Sequence, residues 1–133
     1  MTGSVERRSA SSGSPFEATI GFSRAVRVGD RILVSGTAPV EPDGASTPGG
    51  AGVQAARCLA IIIAAIEELG GTAADVVRTR MYLTDATDAG AIGDAHGAVF
   101  GDIRPASTMV VVAALLRPEW RVEIEAEALV GHD

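Results

Sequence analysis

The sequence has 133 residues, 47% of them apolar, and a formal charge of −6 in which every cation is an arginine. That length supports one domain around one core rather than two. The absence of lysine excludes Schiff-base chemistry through a lysine amine, and an acidic chain without a basic stripe is a poor match to phosphate backbones, so neither RNA cleavage nor a nucleic-acid partner is expected.

The longest apolar stretch, residues 58–66, is far shorter than the roughly 20 residues of a membrane span, so no membrane partner is expected. Arg7 and Arg8 are followed by small polar residues rather than by the apolar core of a signal peptide, which points to a cytoplasmic location. The single cysteine, Cys58, excludes an internal disulfide and a cysteine metal site. It lies in an apolar helical pattern and reads as a small core residue.

In chain order, residues 1–15 are mostly Ser, Gly and Arg and are read as a disordered tail, leaving residues 16–133 as one domain. Residues 18–28 and 31–36 form a predicted hairpin around the turn Gly29-Asp30. The Pro- and Gly-rich residues 39–50 are a loop. Residues 52–69 carry the strongest helical period, with Val53, Ala56, Ala60 and Ile63 inward and Gln54, Arg57 and Glu68 outward, closed by Gly70-Gly71.

Residues 76–83 alternate as a strand, with Arg78, Arg80 and Tyr82 on one face and Val77, Thr79, Met81 and Leu83 on the other. A second helix spans residues 88–100 and buries Ile92, Ala95, Val99 and Phe100. Gly90, Gly93 and Gly97 weaken it by roughly 1 kcal/mol each, so packing must hold it. Residues 107–115 read as a buried strand. Residues 120–130 alternate Arg121, Glu123, Glu125 and Glu127 against Val122, Ile124, Ala126 and Ala128. The order β-β-α-β-α-β-β predicts an α+β fold, with two helices on one face of a mixed sheet. Its charged face, flanked by apolar residues, calls for self-association into a closed ring.

Five segments resemble the RidA (YjgF, endoribonuclease L-PSP) family: Gly21-Phe22-Ser23-Arg24-Ala25-Val26, Ile32-Leu33-Val34-Ser35-Gly36, residues 76–85, Arg104-Pro105-Ala106-Ser107-Thr108, and Val122-Glu123-Ile124-Glu125-Ala126. The resemblance implies a chorismate mutase-like fold and a homotrimer with small-molecule clefts between subunits. It also implies hydrolysis of imines or enamines to a keto acid and ammonia without a cofactor, since the substrate is already activated. Such chemistry needs a cation for the substrate carboxylate and a carboxylate that orients water.

Carried over residue by residue, the match is mixed. The family's substrate-binding arginine is Ser107, which cannot neutralise a carboxylate. Its cysteine is Met109, the tyrosine of its Gly-Pro-Tyr segment is Phe22, a tyrosine on the second helix is His96, and an asparagine one turn earlier is Gly93. Ser35, Gly36 and Glu123 are retained, with Glu125 as the alternative base if the preceding turn is aligned without an insertion.

The implied cleft is therefore Phe22, Ser35, Gly36, His96, Arg104, Ser107 and Met109, with Glu123 catalytic. Each has a plainer use. Glu123 and Glu125 also suit cross-strand pairing with Arg78 or Arg80, and Arg80 or Arg104 is a candidate replacement for the missing arginine. His96 suits either acid–base work or a subunit contact, and with no evident second ligand it makes no metal site. Two function classes follow. One is a Rid-type hydrolase of altered specificity, unlike a standard 2-iminobutanoate/2-iminopropanoate deaminase; the other is a non-catalytic, ligand-binding trimer.

Overall fold

The computed structural model describes residues 5–131. Its eight main elements are β1 (Arg7–Ala10), β2 (Ala25–Val28), β3 (Arg31–Thr37), α1 (Ala51–Glu68), β4 (Val76–Leu83), α2 (Ala89–Phe100), β5 (Ala106–Val111) and β6 (Val122–Leu129). They form one six-stranded sheet in the order β1-β2-β3-β6-β4-β5. All pairs are antiparallel except β4 with β5. A parallel pair needs a crossover, and α2 supplies it. Both helices lie on one face, where the core gathers Ile32, Cys58, Leu59, Ile62, Ile66, Ile92, Phe100 and Ile124. Each large apolar side chain removed from water there contributes about 2 kcal/mol.

The predicted α+β architecture holds, as do several local features. Val28 pairs with Arg31 across Gly29-Asp30, and Gly29 takes φ 63°. Helix α1 closes with Gly70 at φ 90°, the Gly70 amide donating to Glu67 O and the Gly71 amide to Ile66 O. This is the paired-bond stop that glycine allows. Along β6 every second side chain is buried, and Cys58 is enclosed in the core.

Five expectations are corrected. Within the expected tail, Arg7–Ala10 forms β1 against β2. An edge strand needs backbone pairing and little apolar cargo; Ala10 is buried, and Arg8 reaches Leu69 O at 3.2 Å. Residues 1–4 of that expected tail lie outside the described residues. The first strand of the hairpin starts at Ala25, because Glu17–Gly21 winds as a π-helical turn.

Helix α1 turns a different face inward. Gln54, Ala55, Cys58, Leu59 and Ile62 are buried, whereas Val53 is 54% exposed. Gln54 tolerates burial because its amide is satisfied twice: Nε2 donates to Glu119 O at 3.0 Å, and Oε1 accepts the Arg121 amide at 2.8 Å. Strand β5 is not buried. It pairs only with β4, it ends at Val111, and Val110 and Val111 remain 42% and 54% exposed. A register shift between Val76 and Arg78 likewise turns Val77 out to solvent.

Candidate functional site

A cavity of about 630 Å³ opens where β3 ends and β6 begins, roofed by residues 12–16 and bounded by the loop after β3 and by α1. Phe22, Ser35, Gly36 and Glu123 all line it. The antiparallel pairing of β3 with β6 brings Gly36 and Glu123 together. A methyl group at Gly36 would stand 2.8 Å from Glu123 Oε1. Only glycine leaves the carboxylate its place there. The Ser35 hydroxyl is spent inside the chain, donating to Ser23 O at 2.7 Å.

Glu123 is half-buried, and among the described residues no side chain or amide donates to its carboxylate. Burial pushes its pKa above the usual carboxylate range. Arg24 pulls it back in part, and Glu125 pushes it further up. An unpartnered carboxylate with a raised pKa, set in a mostly apolar cavity, has the character of a base held ready for water or ligand.

Glu125, the alternative base, is engaged. It accepts the Tyr82 hydroxyl at 2.5 Å and pairs with Arg80 at 3.4 Å, and it does not line the cavity. Arg78 pairs with Glu127 at 3.6 Å. The cross-strand use of these arginines is therefore the one the geometry supplies within this chain. Arg104 sits at φ 54° in the turn before β5, exposed and away from the cavity wall.

The other expected residues lie elsewhere. Ser107 faces the helix layer, as does its strand neighbour Met109, which packs on the core. Ser107 Oγ lies 2.8 Å from Thr79 Oγ1, and Thr79 Oγ1 lies 2.8 Å from His96 Nε2. Thr79 is fully buried and bridges the two. Burial lowers the His96 pKa, which favours a neutral imidazole at pH 7. The fold thus divides the expected residues into a cavity group around Glu123 and an edge group on β5 and α2.

Sequence reasoning missed Arg24 and its support. Arg24 is 6% exposed and lines the cavity. Its Nη1 donates to Gly36 O at 2.7 Å and to Thr37 Oγ1 at 3.0 Å, and its guanidinium lies 5.3 Å from the centre of the Phe22 ring. Behind it stands Glu17, 3.9 Å from Nε. Burial alone would raise the Glu17 pKa, but hydrogen bonds from Ser12 and Ser11 and the charge of Arg24 bring it below the usual range. The available signal was an arginine two residues from Phe22 at the mouth of an apolar strand. Nothing in the period distinguished it from Arg27, which caps α1 by donating to Leu69 O at 2.7 Å. Among the described residues no cluster of three His, Cys, Asp or Glu is placed to hold a metal ion.

With this geometry in place, comparison with known proteins decides the family. The endoribonuclease L-PSP family matches residues 13–130. The chain belongs to that family. It is 37% identical to an uncharacterized protein of Streptomyces coelicolor, over 98% of this chain and 97% of that one. It is also 34% identical to the mouse 2-iminobutanoate/2-iminopropanoate deaminase, over 83% of this chain and 82% of that one. The crystal structure of a YjgF-family member from Mycobacterium tuberculosis matches with a TM-score of 0.87 at 42% identity, covering 94% of this chain and all of that one. The YjgF gene product of Escherichia coli matches with a TM-score of 0.79 at 28% identity, over 97% and 99% of the two chains. The fold is therefore the chorismate mutase-like fold of the YjgF proteins.

Proposed function

We propose that this chain is a Rid-type hydrolase that cleaves an imine or related carbonyl-derived metabolite in the cavity around Glu123. The observation that carries the reading is the Glu123 carboxylate, half-buried, without a donor among the described residues, and held against Gly36 in a mostly apolar cavity. In the ionised form it accepts a proton from water as the water oxygen bonds to the imine carbon. That proton passes to the nitrogen to give the carbinolamine; its hydroxyl proton then moves through the same carboxylate to the nitrogen as the C–N bond breaks and the C=O bond forms, releasing carbonyl product and ammonia. No cofactor enters that balance.

The activity in the mouse relative's name is supported here only in part. Position 107 carries a hydroxyl where that chemistry uses an arginine, so small 2-imino acids are expected to be poor substrates. The working form we propose is a cytoplasmic homotrimer with the cleft between subunits. The open edge of β5, with Val110 and Val111 exposed, and the charged sheet face beside it supply surface for such packing. In that assembly the edge group of one subunit would complete the cavity group of another.

The second reading, a ligand-binding trimer without chemistry, draws on the same apolar walls and on Phe22, whose ring has no hydroxyl to offer. Imines generated in situ, with and without a free carboxylate, separate the two. The hydrolase reading expects faster release of the carbonyl product from at least one imine, lost in Glu123→Gln. Binding retained in both proteins with no acceleration by either would establish the binder.

A further inference from the structure

Arg24 is placed as more than a staple. Five charged side chains line the cavity: Arg24, Glu41, Asp43, Arg57 and Glu123. Arg57 is paired with Glu41 at 3.3 Å and donates to Val40 O, and Asp43 accepts the Ala45 amide at 3.0 Å. Arg24 spends Nη1 on Gly36 O and Thr37 Oγ1, and Nε on Ser12 Oγ at 3.3 Å. Its Nη2 donates no hydrogen bond among the described residues. Glu17 approaches from the Nε side and is itself held by the Ser12 amide and hydroxyl at 3.1 and 2.7 Å. The guanidinium is therefore fixed in direction, only partly neutralised, and left with one donor pair.

Apolar walls come from Phe16, Ile20, Ile61, Leu116 and Trp120. A volume of about 630 Å³ falls in the range of small-molecule sites, roughly 300–1,000 Å³, and exceeds what a three-carbon imino acid fills.

We propose that Arg24 anchors the anionic end of a small ligand with an aromatic or branched apolar body, its reactive carbon lying toward Glu123. This rests on the reading of the cavity as the ligand site. It assigns the substrate class: a monoanion larger than the three- and four-carbon units of simple 2-imino acids, held by a cation on the β2–β3 side of the cavity instead of one on β5.

The test is calorimetric titration of the full chain with 3-phenylpropanoate and with its uncharged amide, 3-phenylpropanamide. A fixed arginine donor pair is expected to favour the carboxylate by about tenfold or more. Arg24→Gln should abolish that preference, bringing the carboxylate and amide affinities to the same value, whereas Arg24→Lys should retain part of it. Glu17→Gln, which keeps an acceptor for Ser12 but removes the competing charge, should tighten carboxylate binding by about two- to fivefold.

Equal affinity for the two probes in the wild type, binding of neither, or a preference that survives Arg24→Gln would overturn the proposal. If Arg24→Gln does not fold, an unchanged carboxylate affinity in Glu17→Gln overturns it instead. Imine hydrolysis that depends on Glu123 alongside such a failure would remove only the role of Arg24. Loss of both would remove the hydrolase reading as well.

Discussion

The cavity group and the edge group differ in how completely one chain satisfies them. Around the cavity, buried polar atoms are partnered from within: Arg24 with Gly36 O, Thr37 and Ser12, Glu17 with Ser12, and Gln54 with the backbone before β6. One carboxylate, Glu123, has no donor among the described residues. On the β5 edge the polar chain Ser107–Thr79–His96 is closed on itself, yet Ser107 and the neighbouring valines are exposed. In this otherwise partnered surround, the Glu123 carboxylate and Arg24 Nη2 are the polar groups left for a ligand or water. An exposed apolar edge is surface available for packing against another chain.

The largest expected effect breaks the cavity side. Glu123→Gln should lower imine hydrolysis by about 100-fold or more, the usual weight of a positioned base. The same change should stabilise the fold at neutral pH. The folded-state pKa of Glu123 is raised by burial, so its contribution to stability is full below the unfolded pKa and is lost as pH rises through the folded one. Activity has the opposite dependence. It should rise with pH through the Glu123 titration, at a pH above the ordinary glutamate range, which a pH–rate profile checks.

Removing Arg24 strands Glu17 as a buried, unpaired charge, and breaking such pairs costs about 3–5 kcal/mol. Arg24→Met should lower the denaturation midpoint accordingly, with partial recovery in acid as Glu17 protonates. Gly36→Ala comes next. A methyl group 2.8 Å from Glu123 Oε1 must displace the carboxylate, which the flexible end of the side chain allows at little cost in stability. The expected result is a drop in hydrolysis larger than the drop in thermal stability.

The edge side yields the smallest effects. Thr79→Val keeps the shape but removes the bridge between Ser107 and His96, and should cost about 1 kcal/mol in denaturant unfolding. Ser107→Arg should raise hydrolysis of carboxylated imines without changing hydrolysis of uncharged ones. No gain would mean that position 107 does not face the cavity group of a neighbouring subunit.

The sequence carried the sheet and helices well because β4 and β6 alternate and α1 is apolar over many turns. It misjudged the inward face of α1, since Gln54 is buried by hydrogen bonds that period counting cannot register. It missed β1 because an edge strand is held by its backbone and by Arg8, not by apolar content. Glu123 and Gly36 were legible through the family resemblance, and their contact explains the pairing. Arg24 was not legible. Its burial depends on residues 12–17 folding back over β3, a non-local fact that no local pattern encodes.

The most direct test of the central claim is the rate of carbonyl release from freshly generated imines by wild-type protein and Glu123→Gln at equal concentration, each checked for the same oligomeric state. The account predicts acceleration by the wild type on an imine with a bulky apolar body and about 100-fold less by the variant. An equal rate in the two proteins, or no acceleration by the wild type on any imine offered, would contradict it.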